Sequence, residues 1–398
     1  MPTNTLSRFL ALPELRLLES RKIGPSRFLL VLEKETSWEV CRRCPNKAST
    51  IYDRRTVTIK DEPIRGNGIT LEIRKRRFRC SYCKHIFTEI VPGINPRARL
   101  TERFKKGVLW ACETFADMKK VKRVYRCSNN TLYKLRYQEL ARKEKEMAYQ
   151  EWPVNIGLDE HKWKRNKEFM RAQFVTMLVD HKRKRAIEVV EGKSTYELKH
   201  SLAHIKGREN VKNVTMDLCD PFAAFIRDFF PQAAIVADKF HVLRLLNPHL
   251  NRRRKEITGD KRTHPLRKLL LRNGTRLDFF TRTTLHRWLD SYPELKDIYH
   301  YKERLYNLYR IKGYDRAKKA HSVLVEDMKT SVVPEIQTFR KTLIKWREPI
   351  LNYFKTGLTN ARLEGFNNVA KTVKKRAYGI RSFKNYRLLL KNACRSRT

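Results

Sequence analysis

The sequence predicts a multi-domain α+β protein, and three observations carry that expectation. Two CxxC knuckles lie near the amino terminus. From residue 153 onward, alternating strand-like segments give way to helices and strands by turns. A long basic stretch rich in leucine and tyrosine then precedes a last amphipathic helix. At 398 residues with 41% hydrophobic and 10% aromatic content, the chain has apolar surface enough for more than one core.

The knuckles are Cys41-Arg-Arg-Cys44 and Cys80-Ser-Tyr-Cys83. Two such pairs in a reducing compartment suit four thiolates around one tetrahedral Zn2+ better than disulfides. The intervening residues 45–79 hold two alternating segments, STIYDRRTVTIK and ITLEIRKRRFRC, split by the turn-rich Pro63 to Gly68. They predict a β-hairpin that brings the knuckles together. His85 is a competing ligand that four cysteines make unnecessary, and Cys112, Cys127, Cys219 and Cys394 lack such spacing and read as structural. This amino-terminal zinc-binding domain spans 1–95.

The prolines of VPGINPRAR mark a boundary. Beyond it, LTERFKKGVLWACETF carries apolar residues at helical spacing. Residues 117–126 and 129–143 then read as a helix-turn-helix, with SNN supplying the cap of the second helix. In a 96–150 DNA-binding domain, that second helix would present Asn129, Asn130, Lys134 and Arg136 to a major groove.

From 153 the order strand, strand, strand, helix, strand, helix, strand covers VNIGLDEHKW, FMRAQFVTMLVD, RAIEVVEG, YELKHSLAHI, VKNVTMDL, PFAAFIRDFF and AAIVADKF. This succession matches a mixed ribonuclease H-type sheet in which the first and fourth strands are neighbours. The core would occupy 151–247 and 346–398, interrupted by an all-helical insertion at 248–345. Asp159 and Asp217 each close a strand, while Glu364 lies on the helix TNARLEGFNNVAKTVKK with Asn368, Lys371 and Lys375 on its face. Asp220 is expected to cap the helix starting at Pro221, and Asp238, which ends AAIVAD, competes with Asp217. Three carboxylates in these settings suit hard divalent ions, which phosphoryl transfer needs.

The charge balance supplies a substrate class. With 88 Lys+Arg against 42 Asp+Glu, the formal net charge is +46, which points to nucleic acid as the partner. No apolar stretch approaches the roughly 18–20 residues of a spanning helix, and the amino terminus lacks a secretory core. The expected location is cytoplasmic, associated with the nucleoid. No GxxxxGK[ST] phosphate loop appears, so ATP-driven activity is not suggested.

Taken in order, RRFRCSYCKHIFTE, GLDEHKWKR, VTMDLCDPFAAFIRDFFPQAAIVADKFHV and NARLEGFNNVAKTVKKRAYGIRSFKNYR resemble a DDE transposase of the bacterial ISL3 insertion-sequence family. The resemblance spans nearly the whole chain and departs from the pattern in CRRCPNK, where a proline follows the second cysteine. It implies catalytic acids at Asp159, Asp217 and Glu364 and a ribonuclease H-like core with an inserted helical domain. It also implies a divalent cofactor, read here as two Mg2+ ions with Mn2+ able to substitute. The substrates would be double-stranded DNA, as terminal inverted repeats and target, processed by a homodimer or larger synaptic assembly. The activity would be strand cleavage followed by strand transfer. Asp238 and His241 in DKFH resemble a DxxH signature of DDE transposases, and His241 would orient a carboxylate without holding metal. Lys371, Lys375 and Arg376, with other basic residues of the insertion and of the tail, would bind DNA backbone. Two alternatives are a transposase-derived DNA-binding regulator that does not cut, and another ribonuclease H-like nuclease.

Overall fold

A computed structural model describes residues 12, 14–115, 117–165, 172–259, 264–377 and 379–395. Phe169 and Met170, the start of the second predicted strand, lie outside these residues. The chain divides into two compact units, Met1–Lys143 and Glu144–Thr398.

In the first unit, β1 (Leu15–Gly24), β2 (Arg27–Lys34), β5 (Ile51–Ile64), β6 (Asn67–Arg79) and β7 (Ile86–Thr88) form one sheet. The short β3 (Glu39–Val40) and β4 (Lys47–Ala48) pair separately. The hairpin read from the sequence is β5–β6. Its two-residue turn, Arg65-Gly66, has φ of 47° and 79°, the left-handed pair a tight hairpin turn requires. The strands β1 and β2 were not anticipated. β1 is an edge strand exposed along most of its length, so its side chains alternate weakly, and it is β2 that carries Leu30 and Leu32 into the core. Three helices follow: α1 (Glu102–Thr114), α2 (Met118–Tyr125) and α3 (Asn129–Met147). Phe104, Val108, Val121, Tyr125 and Leu132 pack between them, with Cys112 and Cys127 buried in the same cluster. The α2–α3 turn passes through Arg126 in the left-handed region, and the Ser128 hydroxyl caps α3 by accepting from Thr131 N at 3.1 Å.

In the second unit the sheet order is β10 (Arg185–Glu191), β9 (Ala172–Asp180), β8 (Asn155–Arg165), β11 (Asn213–Met216), β12 (Ala234–Ala237). The first three run antiparallel, and β8, β11 and β12 run parallel, so the fourth strand in sequence lies beside the first. Strand alternation sorts the side chains between two cores. Ile156, Leu158 and Leu178 face α4 (Thr195–Leu202) and α5 (Asp220–Phe229). Trp163, Val175, Met177 and Val179 face the opposite side.

Between β12 and the last two helices the described chain is helical: α6 (Lys239–Leu243), α7 (Asn247–Thr258), α8 (Pro265–Leu271), α9 (Phe279–Asp290), α10 (Pro293–Leu308), α11 (Tyr314–Asp327), α12 (Pro334–Lys345) and α13 (Arg347–Thr356), with short 3-10 turns. Buried charge inside this layer is compensated. Lys302, fully buried, donates to the carbonyls of Leu270 and Arg272 at 2.7 Å each and pairs with Glu303. α13 meets the sheet edge, where Asn352 Nδ2 donates to Ile235 O at 2.9 Å. Then α14 (Ala361–Arg376) and α15 (Phe383–Ala393) cover the second sheet face through Leu363, Phe366, Ala370, Tyr386 and Leu390. Among the described residues no helix is long and apolar enough to cross a membrane.

Two expectations need correction. Asp220 does not cap α5 through its side chain. It is the first residue of the helix, where its carboxylate pairs with Lys345 at 2.6 Å. In the basic tail, Arg387 and Lys391 turn inward to Glu188 and Glu144 rather than outward to a ligand.

Candidate active site

Parallel pairing builds the centre of the site. Gly157 on β8 stands opposite Thr215 on β11. Asp217 is the first residue past β11, whereas Asp159, expected to close its strand, lies in mid-strand because β8 runs on to Arg165; the pairing ends just before both, near enough for the Asp217 charge to act on Asp159. That proximity is costly for two carboxylates. Burial, and then the neighbouring Asp217, push the Asp159 carboxyl up to about 7. Asp159 accepts from the Glu160 N–H and from Asn367 Nδ2, each at 2.7 Å.

Asp238 ends β12 and caps α6, and this brings His241 back over the strand ends. The imidazole bridges two carboxylates, with Nε2 2.8 Å from Asp217 Oδ2 and Nδ1 3.0 Å from Asp238 Oδ2. These two hydrogen bonds raise the His241 pKa to about 10, so the ring is a cation at neutral pH. Asp238 is only 2% exposed. Although its burial works in the other direction, the bonds from His241 and from the Asn360 N–H hold it below the usual carboxylate range. Its Oδ1 accepts from that N–H at 2.9 Å, so both oxygens are engaged. Asp217 differs: its side chain is 25% exposed and its Oδ1 has no hydrogen-bond partner among the described residues.

Asp217, Asp238 and His241 present ligand atoms within 4.8 Å of one another. Asp159 joins them electrostatically through Asp217 and His241. Among the described residues neither Asp159 nor Glu364 belongs to that group, and Glu364 is placed only by its helix. Asn360 immediately precedes α14, and Glu364 lies in the first turn with an exposed side chain. The next turn supplies Asn367, which holds Asp159. An unpartnered carboxylate oxygen beside a carboxyl whose ionisation is resisted is a donor set that a hard divalent cation relieves, and oxygen ligands are what Mg2+ takes. The residues present fit the group.

The asparagines around Glu364 do not form the DNA-facing surface that the sequence suggests. Asn360 and Asn367 turn toward the strands, and only Asn368 is exposed, accepting from Lys371 Nζ at 3.1 Å. The sequence reading missed both, although positions −4 and +3 from Glu364 share its side of a helix. Lys371, Lys375 and Arg376 are exposed on α14. On α3, Asn129, Asn130 and Lys134 are exposed, whereas Arg136 is half-buried and its charge acts on the Cys112 thiol.

In the first unit, the four cysteines gather at the base of the hairpin. Cys41 and Cys83 Sγ are 3.6 Å apart and Cys44 and Cys80 Sγ are 3.5 Å apart, and all four lie within 4.8 Å. A disulfide needs about 2.05 Å, while thiolates about 2.3 Å from a tetrahedral Zn2+ stand roughly 3.8 Å apart. The Asn46 backbone N–H, with the neighbouring thiols, lowers Cys44 to about 6, so one thiolate is ready at neutral pH. The cluster is of zinc-ribbon type and fits structural Zn2+. His85 stays outside it, stacked on Phe87.

Comparison with known proteins gives the family. A family profile of the ISL3 DDE type, described as a transposase, matches residues 156–390. A second, the zinc-finger of transposases IS204/IS1001/IS1096/IS1165, matches residues 39–83. The transposase for insertion sequence element IS1001 of Bordetella parapertussis is 23% identical over 386 residues, covering 93% of this chain and 92% of the relative.

Proposed function

The chain belongs to the ISL3 family of DDE transposases, and from that premise we propose that it binds the terminal inverted repeats of its element and cuts and joins DNA at Asp159, Asp217 and Glu364. The observation that carries this reading is the parallel register that sets Asp159 beside Asp217, next to a helix whose first turn bears Glu364. The mixed sheet, with its first strand next to its fourth, supports a ribonuclease H-like core at 151–247 and 346–398, with 248–345 as a helical insertion.

Asp159, Asp217 and Glu364 would hold the divalent ions. When bound, a pair of Mg2+ ions supplies positive charge that readies the attacking oxygen and steadies the leaving one. Asp217 is better suited to this than Asp238, because one of its oxygens is unpartnered while both of Asp238's are engaged. Asp238 acts instead through His241, fixing the imidazole that in turn fixes Asp217. No side chain needs to form a covalent bond with DNA. First water attacks the phosphodiester and frees a 3′-hydroxyl, and that hydroxyl then attacks target DNA.

The zinc-binding segment 1–95 and the helix-turn-helix segment 96–150 would recognise the repeats, with Asn129, Asn130 and Lys134 exposed for base reading. Arg136, half-buried, would contribute through packing and long-range charge more than through contact. Lys371, Lys375 and Arg376 would hold backbone next to Glu364. Processing two ends together calls for a dimer or larger assembly. The direct test is cleavage of DNA carrying the element's end repeats by the zinc-loaded chain, with and without Mg2+. Mg2+-dependent nicking at the repeat boundary is expected; cleavage that persists in Asp159→Asn would overturn the assignment.

A further inference from the structure

Asn360, Glu364 and Asn367 follow one another at intervals of four and three residues, so they form a single stripe along α14. Seven residues of helix rise by about 10 Å. Glu364 therefore sits between two asparagines that stand roughly two turns apart, and both are tied to β8, which carries Asp159, or to β11, which precedes Asp217.

Asn360 is 4% exposed, and every polar group it has is used. Its Oδ1 accepts from the Thr215 hydroxyl, two residues before Asp217. Its Nδ2 donates to the carbonyl of Leu158, the residue before Asp159, at 3.4 Å, and its backbone N–H donates to Asp238 at 2.9 Å. Asn367 grips the other end, with Nδ2 on Asp159 Oδ2 at 2.7 Å. Between the two grips the helix lies hard against β8. A Cβ on Gly157 would come within 2.5 Å of Leu363 Cδ1, so only glycine permits this approach.

We infer that Asn360 and Asn367 are positioning residues that clamp α14 to β8 and β11 and so set where Glu364 meets Asp159 and Asp217. The amide suits this task. It offers a donor to a carboxylate without adding negative charge to a crowded acidic site, and its short side chain leaves little slack. An aspartate in either place would repel the groups it must hold, and a longer side chain would let the helix ride away from the sheet. Gly157 is the third part of the clamp, acting by absence of bulk. The inference rests on the reading of Glu364 as a metal-holding group.

The test uses the full zinc-loaded chain and Mn2+ as probe, with Mn2+ affinity measured on DNA-free protein by the spin-resonance signal of the free ion. Mg2+-dependent cleavage and thermal unfolding are measured alongside. Asn367→Ala and Gly157→Ala should each weaken Mn2+ binding by roughly 10- to 100-fold. Cleavage should remain depressed at saturating metal, because a displaced Glu364 stays displaced; in Asn367→Ala melting temperature and end-DNA binding should stay near the parent's, whereas Gly157→Ala, which crowds Leu363, should also melt lower. Asn367→Gln, which keeps the donor on a longer arm, should recover Mn2+ affinity more than it recovers rate. Parent-like Mn2+ affinity and rate in both Asn367→Ala and Gly157→Ala would overturn the clamp. So would losses in Asn367→Ala that scale with a fall in its melting temperature, which is the signature of a merely structural role. If the parent does not cut but Asn367→Ala and Asp159→Ala both lose Mn2+, the clamp stands and the proposed function falls. If the parent binds no more Mn2+ than Asp159→Ala does, both readings fall.

Discussion

The cysteine cluster and the carboxylate site gather their groups in opposite ways. Cys41 with Cys44, and Cys80 with Cys83, are sequence-local pairs at the two ends of one hairpin, so a single local fold assembles all four thiols. The carboxylates come from the middle of β8, the residue after β11 and a helix distant in sequence, so their placement depends on a sheet with a crossover. The finished sites differ as well. The thiols form a closed set, whereas the acids leave Asp217 Oδ1 unpartnered and Asp159 resisting ionisation. A closed set of ligands holds a fold together; an open set under electrostatic stress is suited to chemistry.

Breaking the open site should have the largest effect. Asp159→Ala, Asp217→Ala or Glu364→Ala should abolish cleavage while end-DNA binding stays within a few fold, as read by parallel cleavage and gel-shift assays. Asp238→Ala is the sharper comparison, expected to retain residual cutting because its role is indirect. Full cleavage by Asp217→Ala would hand the ligand role to Asp238. Next comes the closed site. Replacing any one of Cys41, Cys44, Cys80 or Cys83 by Ser should cost the zinc ion, unfold the ribbon and weaken binding to end repeats. Freshly purified parent protein without zinc by metal analysis would contradict this.

A smaller effect is expected at His241, which touches both carboxylates without completing either set. His241→Ala should slow cleavage by roughly 10- to 100-fold and raise the Mg2+ concentration for half-maximal rate. If it lowers thermal stability and leaves the Mg2+ dependence unchanged, the ring serves packing alone.

The smallest effect is one of stability, and its sign depends on pH. The Asp159 carboxyl ionises near pH 7 in the folded chain against about 3.9 when unfolded. Its destabilising charge is therefore absent below about pH 4, grows between these values and is complete above pH 7. Asp159→Asn removes that charge. In Mg2+-free, zinc-replete buffer the variant should melt several degrees above the parent at pH 8, with the difference shrinking toward pH 4. A melting difference independent of pH would show that the carboxylate is not under stress.

Much of this arrangement was legible because its signals are local. Pro63 to Gly68 marked the turn that the backbone makes at Arg65-Gly66, and the alternation in VNIGLDE and NVTMDL marked both strands that carry the site, though not that β8 runs on past Asp159 to Arg165. What the sequence hid depends on partners far along the chain. Asn360 and Asn367 look like ordinary polar residues of a basic helix until the sheet supplies Thr215, Leu158 and Asp159. Arg387 and Lys391 looked like tail charges for DNA until Glu188 and Glu144 took them inward. β1 carried too little alternation for its edge position to be seen.

The order in which the second sheet is completed has a further consequence. The strands β8 to β12 are made well before α14 and α15, the helices that cover their second face. Trp163, Val175 and Met177 have no cover until those helices arrive, and the helix that brings Glu364 to the strand ends is itself anchored next to α15. A nascent chain thus carries both aspartates long before it carries a finished site. A chain cut before α14 would keep both aspartates and lose, together, Glu364 and the cover of this sheet face.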